Sequence, residues 1–225
     1  MKFPILSKIK IIIAEDQKLV RKSMISLLNE NKSYEMIGEA ANGRDLLDLL
    51  KLKVPDVVLL DIEMPLMDGF EALKIIRKRY ESVKIIMVSV HTDPYLIVEL
   101  MTNGASSFIS KACDEKELYS AISEVHKHGV YFNSLVTNAM LNKLNNDKKT
   151  NPFTDNHSLS LREIAVIKEV CEGHTNRVIS EKLFISCRTV DFHKGNIYKK
   201  IGSNKTIDVI KYAIKHGIIR APMNV

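Results

Sequence analysis

Residues 57–69, VVLLDIEMPLMDG, lead four apolar residues directly into a carboxylate at Asp61 and then into a loop with a second acid, Asp68. The apolar run has the composition of a buried strand. An ionised side chain at the end of such a strand is costly unless another group compensates its charge. The group that compensates Asp61 is therefore expected to reveal what the protein does.

Similar short apolar segments alternate with segments of helical periodicity through the first half of the chain. The predicted strands are 9–14, 34–40, 57–60, 84–90 and 106–110, and the predicted helices are 17–30, 44–53, 69–80, 93–103 and 114–127. Five strand–helix units predict a parallel sheet with helices on both faces. Right-handed crossovers favour an α/β doubly wound, flavodoxin-like sheet of five strands in the order 2-1-3-4-5.

Composition favours a soluble cytoplasmic protein. The chain has 225 residues, of which 45% are hydrophobic and 27% charged, and no segment approaches the roughly 18 apolar residues of a membrane span. Its start is interpreted as a first strand and not as a signal peptide. Three widely separated cysteines, Cys113, Cys171 and Cys187, suggest neither a disulfide framework nor a metal site, as expected in a reducing compartment.

The two halves of the chain differ in charge. Residues 1–128 carry 18 Lys+Arg and 19 Asp+Glu, a net −1, whereas residues 129–225 carry 15 and 8, a net +7. This asymmetry suggests that the second half meets a polyanion. We predict one domain over 1–128, a linker over 129–157 that could form a helix at 135–144, and a second domain over 158–225.

The second domain is predicted to be entirely helical. Ser160 and Glu163 fit a capping box, and Thr175 and Ser186 can cap two further helices. In the last of these, Val190, Ile197 and Ile201 form an apolar stripe. The opposite face then carries polar and basic groups suited to the major groove of DNA, namely Arg188, Phe192, Gly195 and Lys199, flanked by Asp191, Lys194 and Asn196.

Acidic residues follow two strands that the predicted order makes neighbours. Glu15 and Asp16 follow the first strand and Asp61 the third, so the three carboxylates should share one pocket at the carboxyl edge of the sheet. Like charges so close require a cation, and oxygen ligands suit Mg²⁺. Ser89 and Lys111 would reach the same rim and complete a surround for phosphoryl oxygens, with Asp61 as the nucleophile.

Several ordered motifs, AED at 14–16, LLDIEMPLMDG at 59–69, VSVHTD at 88–93 and FISK at 108–111, resemble the receiver domain of bacterial two-component response regulators. The resemblance implies phosphorylation of Asp61 by a sensor histidine kinase. It implies Mg²⁺ bound by Asp16, Asp61 and the backbone carbonyl of Glu63, with Glu15 acting through water. Ser89 and Lys111 would hold the phosphoryl group, and Phe108 would turn inward when Ser89 moves. Three positions depart from the common pattern: Glu15, Val90 and Ala112.

Residues 158–219 resemble the helix-turn-helix domain of LuxR/NarL-type regulators, with 175–184 as scaffold helix and 187–201 as recognition helix. The resemblance implies double-stranded DNA, a second copy of the chain and RNA polymerase as partners, and no membrane. The candidate DNA contacts are Arg188, Thr189, Phe192, His193, Lys194, Asn196 and Lys199.

Three positions of the recognition helix have alternative interpretations. Asp191, where the family usually has lysine, would accept from a cytosine amino group or pair with Arg188. Phe192 would contact a thymine methyl group or pack within the protein, and His193 would contact DNA or be packed inside. We therefore do not predict a DNA sequence.

The combined motifs predict a transcription factor controlled by phosphorylation, not an enzyme. Two alternatives remain. A phosphohydrolase of the aspartyl-phosphate kind would use Asp61 and Glu63, although such enzymes usually have Asp at the second position and a cap domain. A signalling adaptor would use its basic domain to bind protein, and its DNA affinity would be absent or insensitive to salt.

Overall fold

The computed structural model describes residues 8–147, 159, 161–183, 185 and 187–219. The chain divides into two compact units, Met1–Lys143 and Leu144–Val225. The domain limits drawn from the sequence stay predictions. Among the described residues, no helix combines the length and the apolar character needed to cross a membrane.

The first unit contains a parallel sheet of five strands in the predicted order, β2-β1-β3-β4-β5. Its strands lie within one or two residues of the predicted limits: β1 Ile9–Ala14, β2 Tyr34–Ala40, β3 Val57–Asp61, β4 Lys84–Ser89 and β5 Ser107–Ser110. β1 pairs with both β2 and β3. The chain therefore places β2 on one side of β1 and then crosses over to place β3 on the other side. The predicted fold class is therefore confirmed.

Helices cover both faces of this sheet: α1 Lys18–Glu30, α2 Gly43–Leu52, α3 Gly69–Arg79, α4 Pro94–Thr102 and α5 Glu115–His128. Side chains alternate across the sheet, so Ile11 and Ile13 pack on one face with α1 and α5, while Ile12 and Ala14 pack on the other with α2, α3 and α4. Four of the five helices begin at a residue whose side chain accepts a backbone hydrogen bond, namely Asn42, Asp68, Asp93 and Asp114.

A sixth helix, α6 Ser134–Asp147, follows the sheet and extends the helix predicted at 135–144 in both directions. Val136 and Ala139 are buried in the hydrophobic cluster that also contains Phe108 of β5. The first half of α6 is therefore part of the core of the first unit, because burial of its apolar side chains there removes them from water.

The second unit is helical in its described residues: α7 Leu161–Cys171, α8 Asn176–Leu183, α9 Cys187–Ile201 and α10 Thr206–Lys215. Val190 and Ile197, predicted to face inward, are buried with residues of α7, α8 and α10. Thr175 Oγ1 accepts from the Val178 backbone N–H at 3.4 Å, as the predicted cap requires. Ser160 and Ser186 lie outside the described residues, and Glu163 forms an ion pair with Lys200 at 2.6 Å.

Candidate functional site

Three carboxylates meet at the carboxyl edge of the sheet, beyond the ends of β1 and β3. Oxygens of Glu15, Asp16 and Asp61 lie within 4.8 Å of one another. Glu15 is 1% exposed and Asp61 3% exposed, whereas Asp16 is exposed. Asp16 does not cap the helix that follows it, because α1 begins after Gln17 without a side-chain cap. The fold thus brings together acids that are 45 residues apart in the chain.

Lys111, directly after β5, supplies the opposite charge. Its Nζ lies 2.7 Å from Glu15 Oε2 and 3.0 Å from Asp61 Oδ2. These distances define ion pairs, although neither carboxylate oxygen receives a hydrogen bond of good geometry from the described residues. One ammonium therefore faces two buried carboxylates, and the cluster carries an excess of negative charge.

That excess charge changes the acidity of the site. Burial, followed by repulsion from Glu15, raises the pKa of Asp61 to about 7, against the opposing effects of Lys111 and of the Glu63 backbone N–H. Burial by itself would lower the pKa of Lys111, but its contacts with Glu15 and Asp61 outweigh burial and raise it. At neutral pH the Asp61 carboxyl is poised between its two forms, and any added cation would favour the carboxylate.

Metal-free protein should become less stable as the pH rises from about 4 to 7. Because the pKa of Asp61 is raised from its ordinary 3.8 to about 7 in the folded state, its stabilising contribution is complete below pH 4 and is lost once the pH has passed the folded value. The loss amounts to at most about 1.4 kcal/mol for each pH unit in this window and levels off above it. Urea unfolding with a chelator, from about pH 4 to about pH 8, measures it.

Asp61→Asn is the reference variant, since other groups also titrate. The difference in free energy of unfolding between the variant and the parent protein should grow with pH. Parallel curves for the two proteins would contradict the assigned acidity of Asp61.

Ser89 and Phe108 lie on the strands beside the acids. Ser89 ends β4, is 2% exposed, and its Oγ accepts from the His91 backbone N–H at 3.0 Å. Phe108 of β5 is fully buried. The Glu63 side chain is partly exposed and lies 3.7 Å from His91 Nε2. The sequence indicated the strand ends that carry these residues, and their roles stay predictions.

Arg21 of α1 supports the acidic loop and was not identified from the sequence. Its guanidinium Nη1 donates to the backbone carbonyls of Glu15 and Asp16, while its Nε donates to Glu39 at 2.9 Å. Arg21 lies one turn into the helix that follows Glu15 and Asp16. That position could have identified this arginine from the sequence. Arg21 orients the backbone from which two of the three carboxylates project.

The residues present fit a small hard cation. Glu15 Oε2 and Asp61 Oδ2 are buried acceptors without a hydrogen bond from the described residues, and Asp16 adds a third carboxylate. Oxygen donors of this kind, with one open side for water, suit Mg²⁺.

The second unit offers a separate candidate surface on α9. Asn176 of α8 donates to the Asp191 carboxylate and accepts from Lys194 Nζ at 2.9 Å, so one amide joins both residues to α8. Lys199 is exposed and Asn196 half-buried. The Asp191 carboxylate therefore has a hydrogen-bond partner within its own chain, Asn176, which differs from the cytosine amino group and Arg188 considered from the sequence.

Two predicted contact residues lie inside the second unit. Thr189 is 7% exposed and His193 4% exposed, so the structure places neither on the accessible face, and the packed alternative for His193 is favoured. The side chains of Arg188 and Phe192 lie outside the described ones. A strict three-and-four-residue periodicity could have identified position 193 as inward, since Val190 and Ile197 lie on the same stripe.

A second charged cluster joins α7 to α8. Glu169, Glu172 and His174 present ligand atoms close together, but Lys182 Nζ lies 3.0 Å from Glu169 and 3.4 Å from Glu172. Lys182 therefore forms an ion pair with each carboxylate, and we interpret the cluster as an ion-pair network between helices.

Comparisons with known proteins agree with both units. Residues 11–123 match the family model of the response regulator receiver domain, and residues 157–213 match that of bacterial regulatory proteins, luxR family. The transcriptional regulatory protein LnrK of Bacillus subtilis is 34% identical over 216 residues, which span 93% of this chain and 98% of LnrK.

Solved structures show the same fold. The response regulator ChrA of a heme-sensing two-component system is 25% identical, with a TM-score of 0.52, over 95% of this chain and 100% of ChrA. A structure of two RcsB dimers bound to two parallel DNAs is 21% identical, with a TM-score of 0.59, over 92% of this chain and 98% of RcsB. The chain therefore belongs to the two-component response regulators, of the type that joins a receiver domain to a LuxR-family DNA-binding domain.

Proposed function

We propose that Asp61 accepts a phosphoryl group from a sensor histidine kinase and that this modification controls sequence-specific DNA binding and transcription in the cytoplasm. The observation that carries the proposal is the buried cluster of Glu15, Asp61 and Lys111 at the carboxyl edge of the sheet. A carboxylate kept buried beside a like charge is costly unless the site uses it. The matched relative is a transcriptional regulator, which favours regulation over phosphohydrolase activity.

Phosphoryl transfer would use groups that the site already holds. An Asp61 carboxylate oxygen attacks phosphorus, a new O–P bond forms, and the electron pair of the breaking P–N bond remains on the imidazole nitrogen of the kinase. Only the ionised carboxyl is nucleophilic, so the positive charge of Lys111 keeps Asp61 reactive despite its burial. Lys111 and the Ser89 hydroxyl would then hold phosphoryl oxygens, and Phe108 would respond to the movement of Ser89.

Asp16, Asp61 and the backbone carbonyl of Glu63 would hold Mg²⁺, with Glu15 acting through water. When bound, the ion would neutralise charge on the phosphoryl oxygens during transfer. The excess of carboxylates over ammonium groups in this site supports that assignment.

The exposed side of α9 would bind double-stranded DNA, with Lys199, Lys194 and Asn196 as the contact residues that the packing supports best. Arg188 and Phe192 remain in the proposal on sequence grounds. Two copies of the chain would read paired half-sites, a proposal to which the RcsB dimers on DNA lend support. RNA polymerase would be the partner through which bound protein affects transcription.

The test is selection of genomic fragments by the full-length protein, with and without beryllofluoride as a phosphoryl mimic and Mg²⁺. We expect a defined set of fragments whose affinity changes at least about tenfold with the mimic, a coupling of about 1.4 kcal/mol, within the usual allosteric range. Fragments retained equally with and without the mimic would contradict phosphorylation control. Retention of no fragment would contradict the DNA-binding function.

Lys199→Ala tests the proposed DNA-binding surface of α9. Loss of one phosphate contact should weaken binding to all selected fragments alike and lower the slope of log affinity against log salt by about 1. An unchanged slope would remove Lys199 from the proposed contact surface.

A further inference from the structure

Asn133, the residue before α6, joins three elements of the first unit. Its side chain is buried at 8% exposure. Its Nδ2 donates to the backbone carbonyl of Phe108 at 3.0 Å and to Glu117 Oε1 of α5 at 2.6 Å. Its Oδ1 accepts from the Val136 backbone N–H at 2.9 Å. A single amide thus donates to one acceptor on β5 and one on α5 and also caps α6, which only a side chain with two donors and an acceptor can do.

The chain around Asn133 follows β5 closely. The Tyr131 backbone N–H donates to the Ser106 carbonyl at 3.0 Å, and its own carbonyl accepts from Ser107 Oγ at 2.8 Å. Val136 and Ala139 then pack into the cluster that contains Phe108. The beginning of α6 is therefore held by backbone and side-chain contacts to the strand that carries Phe108, and not by packing alone.

Beyond Met140, which packs against the same cluster, the described part of α6 has exposed apolar side chains. Leu141 is 50% exposed and Leu144 57% exposed. Few buried apolar contacts mark a segment that opens at low free-energy cost. Asn133 lies where the firmly held part of α6 begins, next to the buried Val136 and Ala139.

We propose that Asn133 couples the phosphorylation site to α6, so that displacement of β5 at Phe108 weakens the Asn133 contacts and releases α6 from the first unit. The inference rests on the proposed function, since it takes Asp61 phosphorylation as the event that displaces β5. α6 has two states, docked through Asn133 or released, and phosphorylation biases the equilibrium between them. The helix leads into the second unit, so its release is the step that reaches the DNA-binding domain.

Asn133→Ser separates coupling from helix capping. Serine is a good N-cap and still accepts from the Val136 N–H, but it cannot donate to both Phe108 and Glu117. Asn133→Asp keeps the shape and the cap while placing a carboxylate against Glu117. Asn138→Ser makes the same chemical change at an exposed position of α6 and is the matched control.

The experiment uses full-length protein and three readouts, namely beryllofluoride binding at Asp61, amide hydrogen exchange in α6, and affinity for a fragment selected by the parent protein. Without the mimic, α6 amides of Asn133→Ser should exchange about tenfold faster than those of the parent, and those of Asn133→Asp faster still. The mimic should bind both variants, but its effect on DNA affinity should shrink at least fivefold. Asn138→Ser should behave as the parent.

Failure of this inference differs from failure of the proposed function. If the parent protein binds DNA identically with and without the mimic, the proposed function fails and the coupling role falls with it. If the parent responds while Asn133→Ser keeps the parental response, or if its α6 amides exchange at the parental rate, only the role of Asn133 is overturned.

Discussion

Replacing Asp61 with asparagine is expected to abolish phosphate incorporation from acetyl phosphate or from a phosphorylated kinase. The amide has almost the shape of the carboxyl group, but it carries no negative oxygen to attack phosphorus. The fold should survive the change, because the substitution removes the repulsion between Asp61 and Glu15, the second-largest cause of the raised pKa of Asp61. Phosphate-affinity electrophoresis and intact-protein mass spectrometry measure the incorporated group directly.

Asp68→Asn is the matched control for that experiment. Asp68 lies in the same loop, and its side chain accepts from the Glu71 backbone N–H at 2.8 Å as the cap of α3, a role that asparagine can also fill. This variant should incorporate phosphate. Undiminished labelling of Asp61→Asn would place the phosphoryl group on another residue and end the proposed mechanism.

Gly69→Ala should destroy the site by a purely steric route. A Cβ at Gly69 would lie 2.0 Å from the backbone oxygen of Asp61, 2.9 Å from its carbonyl carbon and 3.0 Å from Ile62 Cα. These neighbours are backbone atoms of β3 and its exit, and the Gly69 N–H donates to the Ile62 carbonyl at 2.9 Å. The clash can be relieved only by moving the backbone at Asp61 or the start of α3, so we expect a loss of about 3 kcal/mol or more in the free energy of unfolding.

Denaturant unfolding and phosphate incorporation together test the prediction, and Gly195→Ala provides the contrast. A Cβ at Gly195, within α9, would meet no atom of the described residues within 4 Å outside the helix's own backbone, so alanine should raise helix stability by up to about 1 kcal/mol. A stable Gly69→Ala protein that still accepts phosphate would show that α3 can shift away from β3 at little cost.

Much of the first unit follows from local sequence. Strand and helix limits could be predicted because a buried parallel strand needs a continuous apolar run, and because acids and asparagine at helix starts satisfy backbone N–H groups. The carboxyl edge of the sheet could likewise be located, since Glu15, Asp61, Ser89 and Lys111 each follow or end a predicted strand. The handedness rule for crossovers then favoured a doubly wound sheet, for which 2-1-3-4-5 is a common strand order.

The residues of α9 that face outward for DNA contact were harder to predict from the sequence. Thr189 and His193 were expected among the contact residues, yet both are buried. The polarity of a side chain says little about the direction in which it points, because a polar group can be buried wherever a hydrogen bond satisfies it. The sequence also suggested other partners for Asp191 and Lys194. In the structure, both side chains form hydrogen bonds with Asn176 of α8.

By itself, the sequence determined the two-part organisation, the succession of strands and helices and the chemical groups at the ends of the strands, since these depend on composition and periodicity within single segments. Only the tertiary structure decided which charges touch. Lys111 lies between Glu15 and Asp61, Arg21 holds the acidic loop, and Asn133 links Phe108 to α6. Apart from the contacts of Arg21, these interactions join residues far apart in the chain. Their distances are set by the packing of whole elements, which a local sequence pattern does not reveal.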